Sequence, residues 1–202
     1  MTRMLMKAVS IVFHPLMMPT ITFLIVYAAL PELVHPVGWV LLPFLFITTF
    51  LIPLFGVAAL IYSGSVSSFS LEKREERFLP FFFVTIFYAI TTVMFILKIQ
   101  VNETVGLMLI ATTVLLMVLM LISLFYKISI HAAGVSGVVG FMFMLSRNYP
   151  ESMIIYALIF TIVLSGLVMT SRLYLNAHTP KEILFGCVLG IFVCFGTLYF
   201  FD

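Results

Sequence analysis

The stretch VGLMLIATTVLLMVLMLISLFY, residues 105–126, runs for 22 residues without a single charge. A helix of about 20 apolar residues, rising 1.5 Å per residue, crosses the roughly 30 Å hydrocarbon core of a bilayer. The rest of the chain has the same character. Of its 202 residues 63% are hydrophobic and 9% charged, with 22 Phe and 13 Met, and the mean hydropathy is +1.26. An average soluble domain carries about 25% charged residues, and so little polar surface cannot cover a water-facing globule. The solvent is therefore lipid. The expected fold is an all-α polytopic membrane helix bundle of about six or seven transmembrane helices, forming a single transmembrane domain over residues 1–202. A net charge of +2 leaves no basic footprint for nucleic acid. Cys187 and Cys194, seven residues apart in one apolar stretch, suggest neither a disulfide framework nor a metal site.

Outward from that stretch, a third helix is expected from Pro80 to about residue 97, since proline is tolerated in a first helical turn. Before it lies the longest polar segment, residues 63–77, and a second apolar stretch over about 37–62. The first stretch, about 8–30, is interrupted by His14-Pro15 and Pro19. It is too long for a signal-peptide core and has no clean small-residue cleavage site, so it reads as retained. On the other side, Lys127-Ile128-Ser129 breaks the chain before a fifth stretch, about 131–145. A sixth over about 153–170, a polar segment over 171–182 and a seventh over about 183–200 follow.

Segments separated by two crossings share a membrane face, so the polar segments after helices two, four and six lie together. They hold Lys73, Arg74, Arg77, Lys127, Ser129, His131, Arg172, His178 and Glu182. Ionisable groups gathered in a lipid protein point to a functional site at one membrane face, although a positive-inside topology signal also gathers cations.

Spacing narrows the chemistry. His178 precedes Glu182 by four residues, which on a helix puts both side chains on one face. A carboxylate beside an imidazole fixes its tautomer and stabilises the imidazolium, as a histidine nucleophile or base requires. The plainer reading is that Lys181 and Glu182 are helix-start charges and His178 an interfacial anchor. In Ser129-Ile130-His131, at the start of helix five, a second histidine can protonate a leaving group, and a helix N-terminus offers N–H groups to an anion. In Glu72-Lys73-Arg74-Glu75-Glu76-Arg77-Phe78-Leu79-Pro80, Lys73 and Arg77 lie one turn apart. With Arg172 they can surround a phosphate, although a solvated helix shows the same charge run. His14 reads as a polar group in a helix contact and His35 as a loop residue, neither as a ligand.

The order of these elements, a cationic segment, then Ser-x-His, then Ser-Arg-x5-His-x3-carboxylate, resembles the type 2 phosphatidic acid phosphatase superfamily. These are metal-independent lipid phosphatases related in fold to the vanadium haloperoxidases. Ser171, Arg172 and His178 match the third family motif, Ser-Arg-x5-His-x3-Asp, with Glu182 in place of the aspartate. Ser129 and His131 match Pro-Ser-Gly-His, with Ile128 and Ile130 in place of proline and glycine. Lys73 lies seven residues before Pro80, as in Lys-x6-Arg-Pro; Leu79 takes the arginine's place and Arg77 lies two positions earlier. The resemblance covers about residues 70–195 and not the first 60.

The resemblance implies that His178 attacks phosphorus to give a phosphohistidine, that His131 protonates the leaving oxygen and that Glu182 orients His178. Lys73, Arg77, Ser129 and Arg172 would hold the phosphoryl oxygens, and water would release inorganic phosphate. It implies no metal and no cofactor. The only Asp is Asp202, which excludes paired-aspartate Mg²⁺ chemistry. The implied substrate is a lipid phosphate or diphosphate of the phosphatidic acid, phosphatidylglycerol phosphate or polyprenyl diphosphate class, its tail kept in the bilayer.

Two other readings stay open. Gly134-Val135-Ser136-Gly137 fits the Gly-x-Ser-Gly of a rhomboid-type intramembrane serine protease, with Ser136 as nucleophile and His178 as base, although such spacing is common in small-residue helix contacts. The second is a catalytically inactive, lipid-binding relative. Eight of the ten Lys and Arg lie on the N-terminal and motif face, but five of those are candidate site residues and the rest divide three to two. Orientation therefore rests on the resemblance, which implies the outer side of a bacterial cytoplasmic membrane.

Overall fold

In the computed structural model, which describes residues 1–34, 38–67, 76–150 and 152–201, the uncharged stretch forms α6, Glu103–Ser123. Asn102 starts it by accepting the Thr104 N–H on its side chain at 2.9 Å, the ordinary use of Asn at a helix start. Before it come α1 (Thr2–Val12), α2 (Met18–Ala29), α3 (Gly38–Phe46), α4 (Ile52–Tyr62) and α5 (Phe78–Met94). After it come α7 (Ile130–Asn148), α8 (Ile154–Tyr174) and α9 (Pro180–Phe201). No strand occurs among the described residues. Among the described residues six helical spans are long and apolar enough to cross a membrane, or seven if α1 and α2 form one bent span. The protein is thus an all-α polytopic membrane bundle, with spans close to those expected.

Two interruptions have local causes. Pro53 has no N–H and its ring crowds the carbonyl four residues earlier. The chain accommodates it with a wider π turn over Ile47–Leu51, inside a span that runs from Val40 to Tyr62. Pro15 forces the preceding His14 out of the helical region, to φ −63° and ψ 142°. That ends α1; a 3₁₀ turn, Pro15–Met17, leads into α2, and the two pieces are bent by 44°.

α7 and α9 form the tightest pair. A Cβ on Gly186 would stand 2.5 Å from the Ser129 carbonyl oxygen, and one on Gly190 would overlap the Ala133 carbonyl. Only glycine permits backbones to approach this closely. The contact sets the start of α7 directly against the first turns of α9, which is where the motif residues lie.

Candidate active site

α8 ends at Tyr174, capped by Leu175, and Asn176 takes a left-handed conformation (φ 54°) that turns the chain toward α9. Thr179 and Glu182 then form a reciprocal helix-start pair. The Thr179 hydroxyl accepts the Glu182 N–H at 3.4 Å, and Glu182 Oε2 accepts the Thr179 N–H at 3.4 Å. The same Oε2 accepts a hydrogen bond from His178 Nδ1 at 2.7 Å. The helix start therefore holds the carboxylate, and the carboxylate holds the imidazole with Nδ1 protonated and the Nε2 lone pair free. Both side chains are largely buried, 8% and 13% exposed. Burial pushes the His178 pKa below its ordinary value; Glu182 opposes that shift, while Arg172 and Lys127 add to it.

The start of α7 is fastened to this turn. Ser129 donates its backbone N–H to the Glu182 carbonyl at 3.2 Å, and its hydroxyl oxygen caps α7 by accepting the Ala132 N–H at 3.3 Å. Ser129 is completely buried, and its neighbours Ile128 and Ile130, not Ser129, line the adjacent cleft. His131 lies in the first turn of α7. Its Nε2 donates to the Ser10 carbonyl at 3.1 Å, so the ring is anchored to α1.

Arg172, in the last turn of α8, also reaches α1. Its Nη1 donates to the Ser10 hydroxyl at 2.6 Å, and the neighbouring Ser171 donates its hydroxyl to the Met6 carbonyl at 2.7 Å. The buried Nε of Arg172 has no hydrogen-bond partner among the described residues. Arg77, 5% exposed, precedes α5; burial opposes its charge and the Glu182 carboxylate favours it.

These side chains open onto one cleft of about 430 Å³. Arg77, His131, Arg172 and His178 line it, and among the described residues no carboxylate does. Its other walls are apolar, including Phe50, Leu54, Val57, Phe81 and Val84. Four expected site residues, on four different helices or their ends, thus converge, with Glu182 directly behind His178. Lys73, with Glu72 and Arg74, lies outside the described residues, as does His35. Among the described residues no group of three or more His, Cys, Asp or Glu side chains is placed to hold a metal ion.

Two residues of the cleft region were not among the expected site residues. Ser10 joins Arg172 to His131. His14 makes a helix contact, its ring edge-on to His131 at 5.4 Å between centroids, and it also lines the cleft. The first 60 residues, outside the motif resemblance, build one wall of the site.

Ser136 sits elsewhere. It is 1% exposed and its hydroxyl pairs with that of Ser165 at 3.3 Å. A Cβ on the adjacent Gly137 would come within 2.8 Å of Cys194 Sγ. The Gly-x-Ser-Gly stretch is therefore a packing face of α7 against its neighbours.

In comparison with known proteins, residues 123–202, about two-fifths of the chain, match the family model of the PAP2 superfamily. That segment contains the second and third motifs, so the resemblance drawn from them is borne out. No curated protein and no solved structure matches the chain.

Proposed function

From the PAP2-superfamily identity of residues 123–202, which points to phosphatase chemistry on phosphate esters, we propose that this integral membrane protein hydrolyses a lipid phosphate or diphosphate through a phosphohistidine. One observation carries the reading. A guanidinium with a buried, unpartnered Nε faces a cleft that also holds an imidazole oriented by a carboxylate. Arg172 has no carboxylate partner among the described residues, and an uncompensated buried cation calls for an anionic ligand. A phosphoryl group supplies that charge, and its planar oxygens suit guanidinium donors.

In this mechanism His178 Nε2 forms a bond to phosphorus while the bond to the leaving oxygen breaks, and that oxygen takes a proton from His131. Glu182 stabilises the positive charge that grows on the His178 ring. Arg77 and Arg172 neutralise the charge spread over the phosphoryl oxygens. Water then attacks phosphorus and gives a proton back to His131, the P–N bond breaks, and inorganic phosphate leaves with both histidines restored. Ser129 contributes by holding the start of α7 in place, and Lys73 is assigned to the phosphoryl group by its motif position. The apolar walls receive the first part of the lipid tail, which favours a lipid substrate over a soluble one.

The test is inorganic phosphate release by detergent-purified protein, with chelator present. The substrates are phosphatidic acid, phosphatidylglycerol phosphate and polyprenyl diphosphate, beside His178→Ala. Chelator-resistant release that His178→Ala abolishes is the expected result. Absence of release from every lipid by folded protein overturns the proposal in favour of an inactive relative.

A further inference from the structure

We infer that His14, at the break between α1 and α2, is a third imidazole of the site and donates its Nε2–H to an oxygen of the bound phosphate group. The inference rests on the phosphatase reading above and adds a residue from outside the family-matched segment.

The tautomer follows from geometry. His14 Nδ1 accepts the Leu16 N–H at 3.3 Å, so that nitrogen carries a lone pair and the ring is neutral, with its proton on Nε2. No described group takes that proton: the ring's remaining contact is the edge-on packing against His131. The side chain lines the cleft beside Arg77, Arg172 and His178. A donor without a protein acceptor thus borders the cavity in which Arg172 Nε also lacks one. The two orphaned donors are complementary to a tetrahedral anion, whose several oxygens each accept. A neutral donor adds a hydrogen bond there without adding another cation beside Arg172.

The competing role is purely structural. His14 caps the 3₁₀ turn over Pro15–Met17, but Asn, Asp or Ser performs that task equally well. The two ring nitrogens therefore have separable jobs. His14→Asn keeps an acceptor near the Nδ1 position and withdraws the donor from the cleft, whereas His14→Gln extends an N–H about as far as Nε2.

Two measurements on the full-length protein in detergent separate the possibilities: kcat and KM for phosphate release, and thermal stabilisation by orthovanadate, which reads anion binding without turnover. His14→Asn is expected to melt like wild type without anion. Its kcat/KM should fall about ten- to a hundredfold, as for a lost hydrogen bond to a charged group, and it should need more vanadate for the same stabilisation. His14→Gln should recover part of both losses. An Asn variant equal to wild type in both measurements overturns the inference and leaves His14 as a cap. Wild type that vanadate stabilises but that releases no phosphate sinks the phosphatase reading, and the vanadate titration still decides the donor. Wild type that does neither overturns both.

Discussion

Replacing Glu182 by Gln removes one charge and little else. Gln is accepted at the third position of a helix-start pair of this kind, so the bonds with Thr179 and the acceptor for His178 Nδ1 can all be kept. What changes is the strength of the 2.7 Å bond between Glu182 and His178. A charge-assisted hydrogen bond is about twice as strong as a neutral one, a difference of about 1–1.5 kcal/mol. It acts on the imidazolium that develops as Nε2 bonds to phosphorus. Since 1.36 kcal/mol is tenfold in rate, kcat should fall about tenfold with no change in melting temperature. The pH profile supplies an independent sign. In the proposed mechanism the nucleophile is the neutral imidazole, so activity is expected to be lost as pH falls through the His178 pKa. Burial lowers that pKa, Glu182 raises it, and Arg172 and Lys127 lower it. Without the carboxylate charge the raising influence shrinks to a neutral hydrogen bond while the lowering ones remain, so the acid limb of kcat/KM moves to lower pH even as the plateau drops. Phosphate release from one lipid phosphate, measured across the acid range for both proteins, checks this. A limb that stays in place or moves upward would refute the orienting role given to Glu182.

Two further perturbations probe the frame and the cleft. Gly190→Val drives side-chain atoms into the Ala133 carbonyl across the α7–α9 contact; overpacking of this kind costs about 1–3 kcal/mol, so the melting temperature should fall by several degrees, and an unchanged value counts against the close approach. Val84→Trp fills part of the apolar wall and should reduce hydrolysis of a long-chain lipid phosphate more than that of a short-chain soluble monoester; equal loss for both excludes the wall as the tail's seat.

The spans were legible because, in a chain this apolar, each uncharged run near 20 residues has few fates other than crossing the bilayer. The third motif was legible because its parts are local: His178 and Glu182 are four residues apart, and one helix start fixes both. Ser129 was half legible. Its spacing placed it beside His131, but spacing cannot tell a serine that caps a helix from one that holds a ligand, and here the hydroxyl oxygen accepts the Ala132 N–H. Ser10 and His14 were illegible for a different reason. The contacts of Ser10 with His131 and Arg172 span 121 and 162 residues, and that of Met6 with Ser171 spans 165. α1 folds back on the end of α8, and no periodicity in either helix encodes that docking. The Pro15 break was visible in the sequence; that it delivers an imidazole to the cleft was not.

The departure from the family motif at position 182 has a physical reading. A reciprocal pair at a helix start requires Glu or Gln three residues after Thr or Ser, long enough to reach back to the N–H of the first residue. Thr179 and Glu182 have that spacing and make both bonds. Glutamate thus serves as helix start and as the partner of His178 with a single oxygen, Oε2, while its charge also bears on Arg77. This carboxylate does not line the cleft, whereas Arg77 and Arg172 do. In the proposed mechanism the Glu182 charge serves the His178 imidazole, while Arg172, whose buried Nε has no partner among the described residues, is left for the phosphoryl group.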